Sequence, residues 1–354
     1  MKVLYLSQVS WGWIFQRPQI IELLLENNYE CTVVSRKYLF GKQVSKQNIM
    51  PKSMIDIWQL PKAKSFKIVA WVNKLIYKHC VYSIAKRYDA IWICHPGLYY
   101  SIPKSFHGYI IYDCMDNYVA MSSDFYKKEV FEQEQLLLKR ANLVFASSQK
   151  LQEVVPNLRN SLLVRNGYRA NTELSPIKHS DKKEVYKIGY FGTVSSWFDF
   201  DLLKKSLVEN RDLLYHVIGP VEDTVKKDFD ERIIFEGIVE HKNLSSVVKD
   251  YDALIMPFVI NDIILSVDPV KLYEYICFGK CIISVKYPEI ERFEPFVYFY
   301  ETEEDYLSLL DHLRKNGFKP KYDEYTRKLF LNENSWEKRY ELIYNAIQEM
   351  ERNG

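Results

Sequence analysis

The chain is short of several things, and each shortage narrows what it can be. Six cysteines stand among the 354 residues, at positions 31, 80, 94, 114, 277 and 281, and none forms a Cys-x-x-Cys pair. Cys277 and Cys281 are four apart around a Gly-Lys turn, and no histidine cluster accompanies them. Zinc is therefore not expected, and the cysteines read as buried, reduced thiols suited to a cytoplasmic compartment. Long apolar runs are also missing. Met1 to Leu6 carries one basic residue and ends at the polar Ser7 and Gln8, without the apolar core or small-residue cleavage site of a signal peptide. Ala253 to Ile260 is the most obvious apolar run elsewhere, under half of the about 20 residues that span a membrane. The expectation is a chain that neither spans nor crosses a membrane by its own signals. No Gly-x-Gly-x-x-Gly or P-loop pattern occurs, which removes the usual dinucleotide and Walker-type signatures. No short-period repeat is present either.

What is there is a core-forming sequence about two domains long, taking roughly 100–200 residues per domain. Hydrophobic residues make up 47% and charged residues 27%, enough for two real cores. The net charge of +2 hides an asymmetry: residues 1–150 carry 20 Lys/Arg against 11 Asp/Glu, and the remainder 28 against 35. Between Arg36 and Lys104 the count is 13 basic to 2 acidic. Such a half suits an anionic surface of phospholipid, nucleic acid or polyphosphate, and a solvated lysine-rich face fits the count equally well.

Short β-like runs alternate with helical stretches, the pattern of a parallel sheet covered by helices. Strands are expected at Val3 to Ser7, Cys31 to Ser35, Ile55 to Leu60, Ala90 to Cys94, Tyr109 to Tyr112, Leu143 to Ala146 and Leu162 to Val164. Helices are expected after Pro18 and near 66–87, 124–140 and 149–155. The pattern restarts after a polar connector, Arg169 to Glu184. Strands then fall at Lys187 to Gly192, Leu214 to Ile218, Ile233 to Glu236, Ala253 to Pro257 and Cys281 to Val285, with helices from Asp199, near 243–250 and at 270–278. Two Rossmann-like α/β domains follow, 1–168 and 169–335. A closing amphipathic helix, 336–354, is expected to pack back on the first, with Tyr340, Ile343, Tyr344 and Ile347 at helical spacing.

In open α/β sheets ligands bind beyond the carboxyl ends of the strands, so chemistry is sought there. Gly192, Thr193, Ser195 and Ser196 form a small, hydroxyl-bearing loop whose backbone N–H groups, with the following helix N-terminus, suit a diphosphate. Asp199-Phe-Asp201 and Asp228-Phe-Asp230 match an Asp-x-Asp metal pattern, but Asp199 reads better as a helix cap and the second pair as surface acid. No metal or cofactor is expected. Pro257 opens a loop leading to the helix that carries Lys271 and Glu274. A lysine in a first turn opposes the helix dipole and makes sense beside an anion, while Glu274 on nearly the same face suits ribose hydroxyls. In the first half, Tyr112-Asp-Cys-Met-Asp116 supplies two carboxylates past a strand, and Cys94-His-Pro-Gly97 a histidine. Trp13 and Arg17 are expected in the same cleft. The segment Phe66 to Tyr88 interleaves Phe66, Val69, Trp71 and Leu75 with Lys64, Lys67, Lys74 and Lys78. It reads either as a helix lying on an anionic membrane or as an ordinary sheet-covering helix.

Asp268 to Ser284 resembles the donor-nucleotide motif of GT-B glycosyltransferases. Gln16-Arg-Pro-Gln19, Tyr112 to Asp116, Asn166-Gly167, Gly189 to Phe198, Ile218-Gly-Pro220 and Pro257-Phe258 recur in order in their polysaccharide-synthesis branch. That branch includes teichuronic-acid transferases and resembles the xanthan glucuronosyltransferase. The resemblance implies a sugar transferred from a nucleotide-sugar, UDP-linked, to a glycan acceptor that is lipid-linked, at the cytoplasmic face of the membrane and without nucleic acid. It implies that the Gly192–Ser196 loop and Lys271 hold donor phosphates and Glu274 the ribose. Retaining members commonly carry a second Glu eight residues before the position of Glu274; here it is Ser266, which favours inversion. An inverting transferase needs a base from the first domain: Asp116 is preferred, with Asp113 and His95 in reserve. Two rivals remain, a non-hydrolysing nucleotide-sugar epimerase of GT-B fold and a catalytically inactive partner subunit.

Overall fold

The computed structural model describes residues 1–8, 10–11, 16–38, 50–63, 65–156, 160–169, 174–177, 183–223, 225 and 229–353. The chain divides into two compact units, Met1–Asn166 with Trp336–Gly354, and Gly167–Ser335.

Among the described residues the first unit holds seven strands: β1 (Lys2–Leu6), β2 (Glu30–Tyr38), β3 (Met54–Gln59), β4 (Ala90–Ile93), β5 (Tyr109–Cys114), β6 (Leu143–Ala146) and β7 (Ser161–Leu163). They are all parallel, in the order β3-β2-β1-β4-β5-β6-β7. Runs such as Val3-Leu-Tyr-Leu6 and Ala90-Ile-Trp-Ile93 are buried on both faces, which is why they read as continuous rather than alternating hydrophobics. Pro18 in the first turn and a capping box between Gln16 and Gln19 start the helix Arg17–Leu25. The helix Trp336–Asn353 buries Trp336, Ile343 and Ile347 with Ile21, Leu25 and Trp92 of this unit. Each of those two isoleucines contributes roughly 1.5–3 kcal/mol by leaving water.

The second unit holds β8 (Tyr186–Phe191), β9 (Leu213–Ile218), β10 (Ile233–Gly237), β11 (Ala253–Met256), β12 (Cys281–Val285) and β13 (Val297–Tyr300), also all parallel, in the order β10-β9-β8-β11-β12-β13. In each sheet the order reverses beside its first strand, between β1 and β4 and between β8 and β11. Those are the two switch points where an open sheet makes room for ligand. The edge strand β13 and the helices Glu303–Lys315 and Glu324–Glu333 go beyond the expected elements. The helix expected over 149–155 is only the turn Gln149–Gln152. Five cysteines are buried, Cys80 is half-buried, and all six are free thiols. Among the described residues no helix is long and apolar enough to cross a membrane.

Candidate functional site

In the second unit the carboxyl ends of the first strands are glycines in left-handed conformation: Gly192 at φ +133°, Gly219 at +132° and Gly237 at +71°. A Cβ on Gly219 would stand 2.2 Å from the Gly192 carbonyl oxygen, and one on Gly192 would stand 2.2 Å from Cε of Lys271. The two loops and the lysine stem are thus packed together through missing side chains. Lys271 belongs to the helix Val270–Cys277. Its Nζ lies 5.7 Å from the ring centre of Tyr190 and 6.0 Å from that of Phe258. No carboxylate reaches it within ion-pair distance among the described residues. Burial pulls its pKa down, with Glu274 acting against that. A half-buried cation without a counterion is costly unless an anion joins it.

One turn on, the half-buried Glu274 accepts or shares a proton with Nε2 of His241 at 2.6 Å. The sequence offered no signal for His241 beyond its place in the loop after β10. Thr193 and Ser196 are exposed at the same strand end, and the Thr193 carbonyl accepts from the Tyr190 hydroxyl at 2.8 Å. Two expectations change here. The N–H groups of Gly192 and Val194 already donate to Ile218 and Pro220, so they are not the phosphate ligands. The Ser195 hydroxyl is taken by Glu222. The following helix, Phe200–Glu209, has its N-terminus capped by Asp199 through the Leu202 N–H, 2.9 Å, as the cap reading of Asp199 expects. Pro257 contributes its carbonyl, which accepts from the Asp199 N–H at 2.9 Å and so ties the β11 loop to the β8 loop. Asp230 pairs with Arg232, and Asp228 lies outside the described residues. Ser266 is buried and donates to the Asp262 carbonyl at 2.8 Å.

In the first unit Arg17 draws three of the quoted motifs together. Its guanidinium grips Asp113 from Nη2 at 2.8 Å and from Nε at 3.0 Å, and donates from Nη1 to the Val164 carbonyl at 2.7 Å and to Asn166 at 3.4 Å. Both partners are buried, Asp113 completely. This corrects two expectations: Asp113 is committed to an ion pair and is not a free base, and Arg17 is interior rather than lining a ligand surface. Asp116, two residues past β5, is half-buried, and its side chain has no hydrogen-bond partner among the described residues. Burial pushes its pKa up to about 7, with Arg17 lowering and Asp113 raising it. That is the value a base working near neutrality needs. His95 follows β4. Its Nδ1 accepts from the Gly97 N–H at 2.9 Å, which leaves the proton on Nε2. Burial first, then the charge of Arg36, push its pKa down to about 3. It is a neutral donor and a poor base, a correction to its reserve role. Its ring packs 4.2 Å from that of Tyr118. Trp13 lies outside the described residues.

The basic segment forms the helix Lys67–Ile84, which has two faces. Asn73, Tyr77 and Val81 point inward, and Asn73 pairs with both backbone groups of Leu60, at 2.8 and 3.0 Å. Outward, Ile68 is 78% and Trp71 61% exposed. Lys67 lies 4.4 Å over the ring of Phe125 and Lys78 5.1 Å over Tyr82, while Lys74 pairs with Glu129. Lys64 lies outside the described residues.

Two parallel sheets with the same internal order, each ending in polar loops at its switch point, define the GT-B fold. Solved structures agree over nearly the whole chain. Sucrose-phosphate synthase of Thermosynechococcus elongatus superposes with a TM-score of 0.74 at 11% identity, covering all of both chains. HepE of Anabaena, solved in complex with UDP and glucose, superposes with 0.72 at 13% identity over 98% of this chain and 99% of that one. In sequence, the chain is similar to TuaH of Bacillus subtilis, a protein assigned to teichuronic acid biosynthesis as a glycosyltransferase. The identity is 23% over 235 residues, 59% of either chain. The match thus spans under two thirds of that relative's length. No protein-family model matches the chain.

Proposed function

We propose that the chain is an inverting glycosyltransferase of the GT-B type. It takes a sugar from a UDP-linked donor held by the second unit and transfers it to a glycan acceptor activated from the first. The acceptor is lipid-linked, the process cell-surface polysaccharide synthesis, and the work is done at the cytoplasmic face of the membrane. The observation that carries this is Lys271, a half-buried ammonium without a counterion, against Gly192 at the second switch point. A diphosphate is the anion that fits a glycine-floored loop with one lysine, and it is the leaving group whose charge must be met in the transition state. Glu274 is the ribose partner, held by His241. Asp116 takes the proton from the attacking hydroxyl, and the absence of a second carboxylate at Ser266 supports inversion. Binding of UDP and glucose by HepE, and the assignment of TuaH to teichuronic acid, support the donor and the process.

The test is calorimetric titration of the protein with UDP, GDP and CMP. UDP is expected to bind, and Lys271→Ala to weaken it by about 10- to 100-fold, since charge-assisted hydrogen bonds contribute roughly 1.5–3 kcal/mol. Unchanged affinity in the variant would remove Lys271 from the site. No binding of any nucleotide would bring forward the inactive-subunit alternative.

A further inference from the structure

The feature that marks Lys271 in the second unit has a counterpart in the first, at Arg36. Arg36 stands near the carboxyl end of β2 and is half-buried. Its Cζ lies 5.1 Å over the ring of Tyr77, and its Nε is fully buried without a hydrogen-bond partner. The neighbouring Lys37 has its charge met by Asp56 at 3.3 Å. The difference from other covered arginines is the carboxylate: Arg17 has Asp113, Arg232 Asp230, Arg292 Asp268 and Arg314 Asp212, although Nε of Arg292 and of Arg314 is likewise buried without a partner. Around Arg36, among the described residues, there is no carboxylate within ion-pair distance. There are instead a neutral imidazole at His95 and the hydroxyl of Tyr100, which is hydrogen-bonded to Arg36 and whose pKa burial raises and Arg36 pulls back.

Ser10 and Trp11, after β1, are fixed against the same strand. The Ser10 hydroxyl donates to the Arg36 carbonyl at 2.5 Å, and the Trp11 N–H donates to Ser35 Oγ at 2.9 Å. The end of β2 that carries Arg36 is thereby tied to Ser10 and Trp11, and the field of Arg36 reaches His95 at the end of β4. Tyr77, on which the guanidinium rests, lies on the inner face of the helix Lys67–Ile84. That helix leaves Ile68, Trp71 and Leu75 exposed on its outer face, with Lys67 and Lys78 alongside.

We infer that Arg36 is an anion site for a phosphoryl group carried on a lipid, the phosphate end of the acceptor. The inference rests on the transferase reading above and adds to it the group by which the acceptor is recognised. A planar guanidinium matches phosphate oxygens two at a time. The proton on His95 Nε2 supplies a further neutral donor. The apolar, lysine-flanked face of the same helix is suited to the lipid that carries the phosphate.

The test uses the full chain with its donor site saturated by UDP, so that added diphosphate cannot occupy the Lys271 loop. Geranylgeranyl diphosphate and inorganic pyrophosphate are then titrated against wild type, Arg36→Gln and Arg36→Lys. Wild type is expected to bind the prenyl diphosphate more tightly than pyrophosphate. Arg36→Gln is expected to lose about tenfold or more of the prenyl diphosphate affinity, and Arg36→Lys less, because lysine keeps the charge and loses the fork. UDP affinity and thermal midpoint are measured alongside, to separate loss of a ligand contact from loss of fold. Equal prenyl diphosphate affinity in wild type and Arg36→Gln would overturn the assignment, as would absence of binding in wild type while UDP still binds. Failure of UDP to bind would instead defeat the transferase reading itself. Vesicles of phosphatidylglycerol form the last arm. If Arg36→Gln loses vesicle binding but not prenyl diphosphate binding, Arg36 meets bilayer headgroups and the acceptor assignment is wrong.

Discussion

The two sheets run their strands in the same internal order, yet the chemistry at their strand ends is opposite in kind. In the second unit the ends of β8, β9 and β10 are Gly192, Gly219 and Gly237, all with positive φ. At Gly192 and Gly219 side chains have been cleared so that backbone and one lysine stem can crowd together. In the first unit the strand ends carry Arg36, His95 and Asp116, and the one glycine in the turn after β4, Gly97, is not among those with positive φ. One end is built for close approach of backbone, the other for placing single polar groups. Topology supplies the location and leaves the chemistry to the loops.

The sharpest way to break that contrast is Asp116→Asn. Losing a positioned general base typically costs about 10²- to 10⁴-fold in rate, so turnover should fall by that order while UDP affinity stays as in wild type. The pH profile gives an independent reading. With its pKa raised to about 7, Asp116 is protonated and idle below that pH, so wild-type turnover should rise with pH and level off above it. Stability runs the other way. The unfolded carboxylate ionises near its ordinary acidic value, so the folded state holds the extra proton between that value and about 7 and loses stability as pH rises through the window. Asp116→Asn should abolish that fall. A variant with near-normal turnover and an unchanged stability profile would move the base elsewhere.

Next in size is the buried pair. Arg17→Ala leaves Asp113 charged and fully buried, which costs about 3–5 kcal/mol where such pairs have been cut. With two units, denaturation in urea should give a shifted transition for the first unit and an unshifted one for the second. A single transition that moves as a whole would mean the units unfold together. Gly192→Ala comes third. Its backbone strain is on the order of 1–3 kcal/mol, and its methyl would displace Lys271, so nucleotide affinity should fall with stability. The matching change in the first unit, Gly97→Ala, meets only the His95 ring at 2.9 Å, a side chain able to turn, and should cost less.

These contrasts also mark what could be read in advance. Alternating buried runs and helical spacing gave the strands and the helices at 67–84, 124–140 and 336–353, because both units bury long apolar segments on parallel strands. The strand β13 escaped because Val-Tyr-Phe-Tyr is short and half-polar at a sheet edge. The helix Glu303–Lys315 escaped although Thr302 and Asp305 form a capping box that the sequence spells out. Lys271 and Asp116 could be singled out as candidates from their positions in a first turn and past a strand, and Glu274 from its place one turn after Lys271. The roles of Asp113, Arg17 and His95 could not, because they depend on partners far off in sequence: Asp113 is 96 residues from Arg17. Arg36 carried no motif at all, and its interest comes from the absence of a carboxylate around it among the described residues.

The smallest expected effect tests whether Glu274 is free to meet a ribose. His241 has its pKa raised, first by its hydrogen bond to Glu274 and against the pull of burial. The stabilisation from that pair is therefore present in acid and lost as pH rises through the raised value. In Glu274→Gln the carboxylate charge is gone, and the His241 titration, followed by its imidazole NMR signals, should move back towards the ordinary histidine range. UDP affinity should fall only about threefold to tenfold, the loss of one hydrogen bond of roughly 0.5–1.5 kcal/mol. It should fall less at pH 6 than at pH 8, because protonated His241 already competes for the wild-type carboxylate at the lower pH. If the His241 titration does not move, the pair is not formed in solution and Glu274 faces the nucleotide unaided. If it moves while UDP affinity is untouched, Glu274 serves the fold of the β10 loop, and the ribose must be held by another group of the second unit.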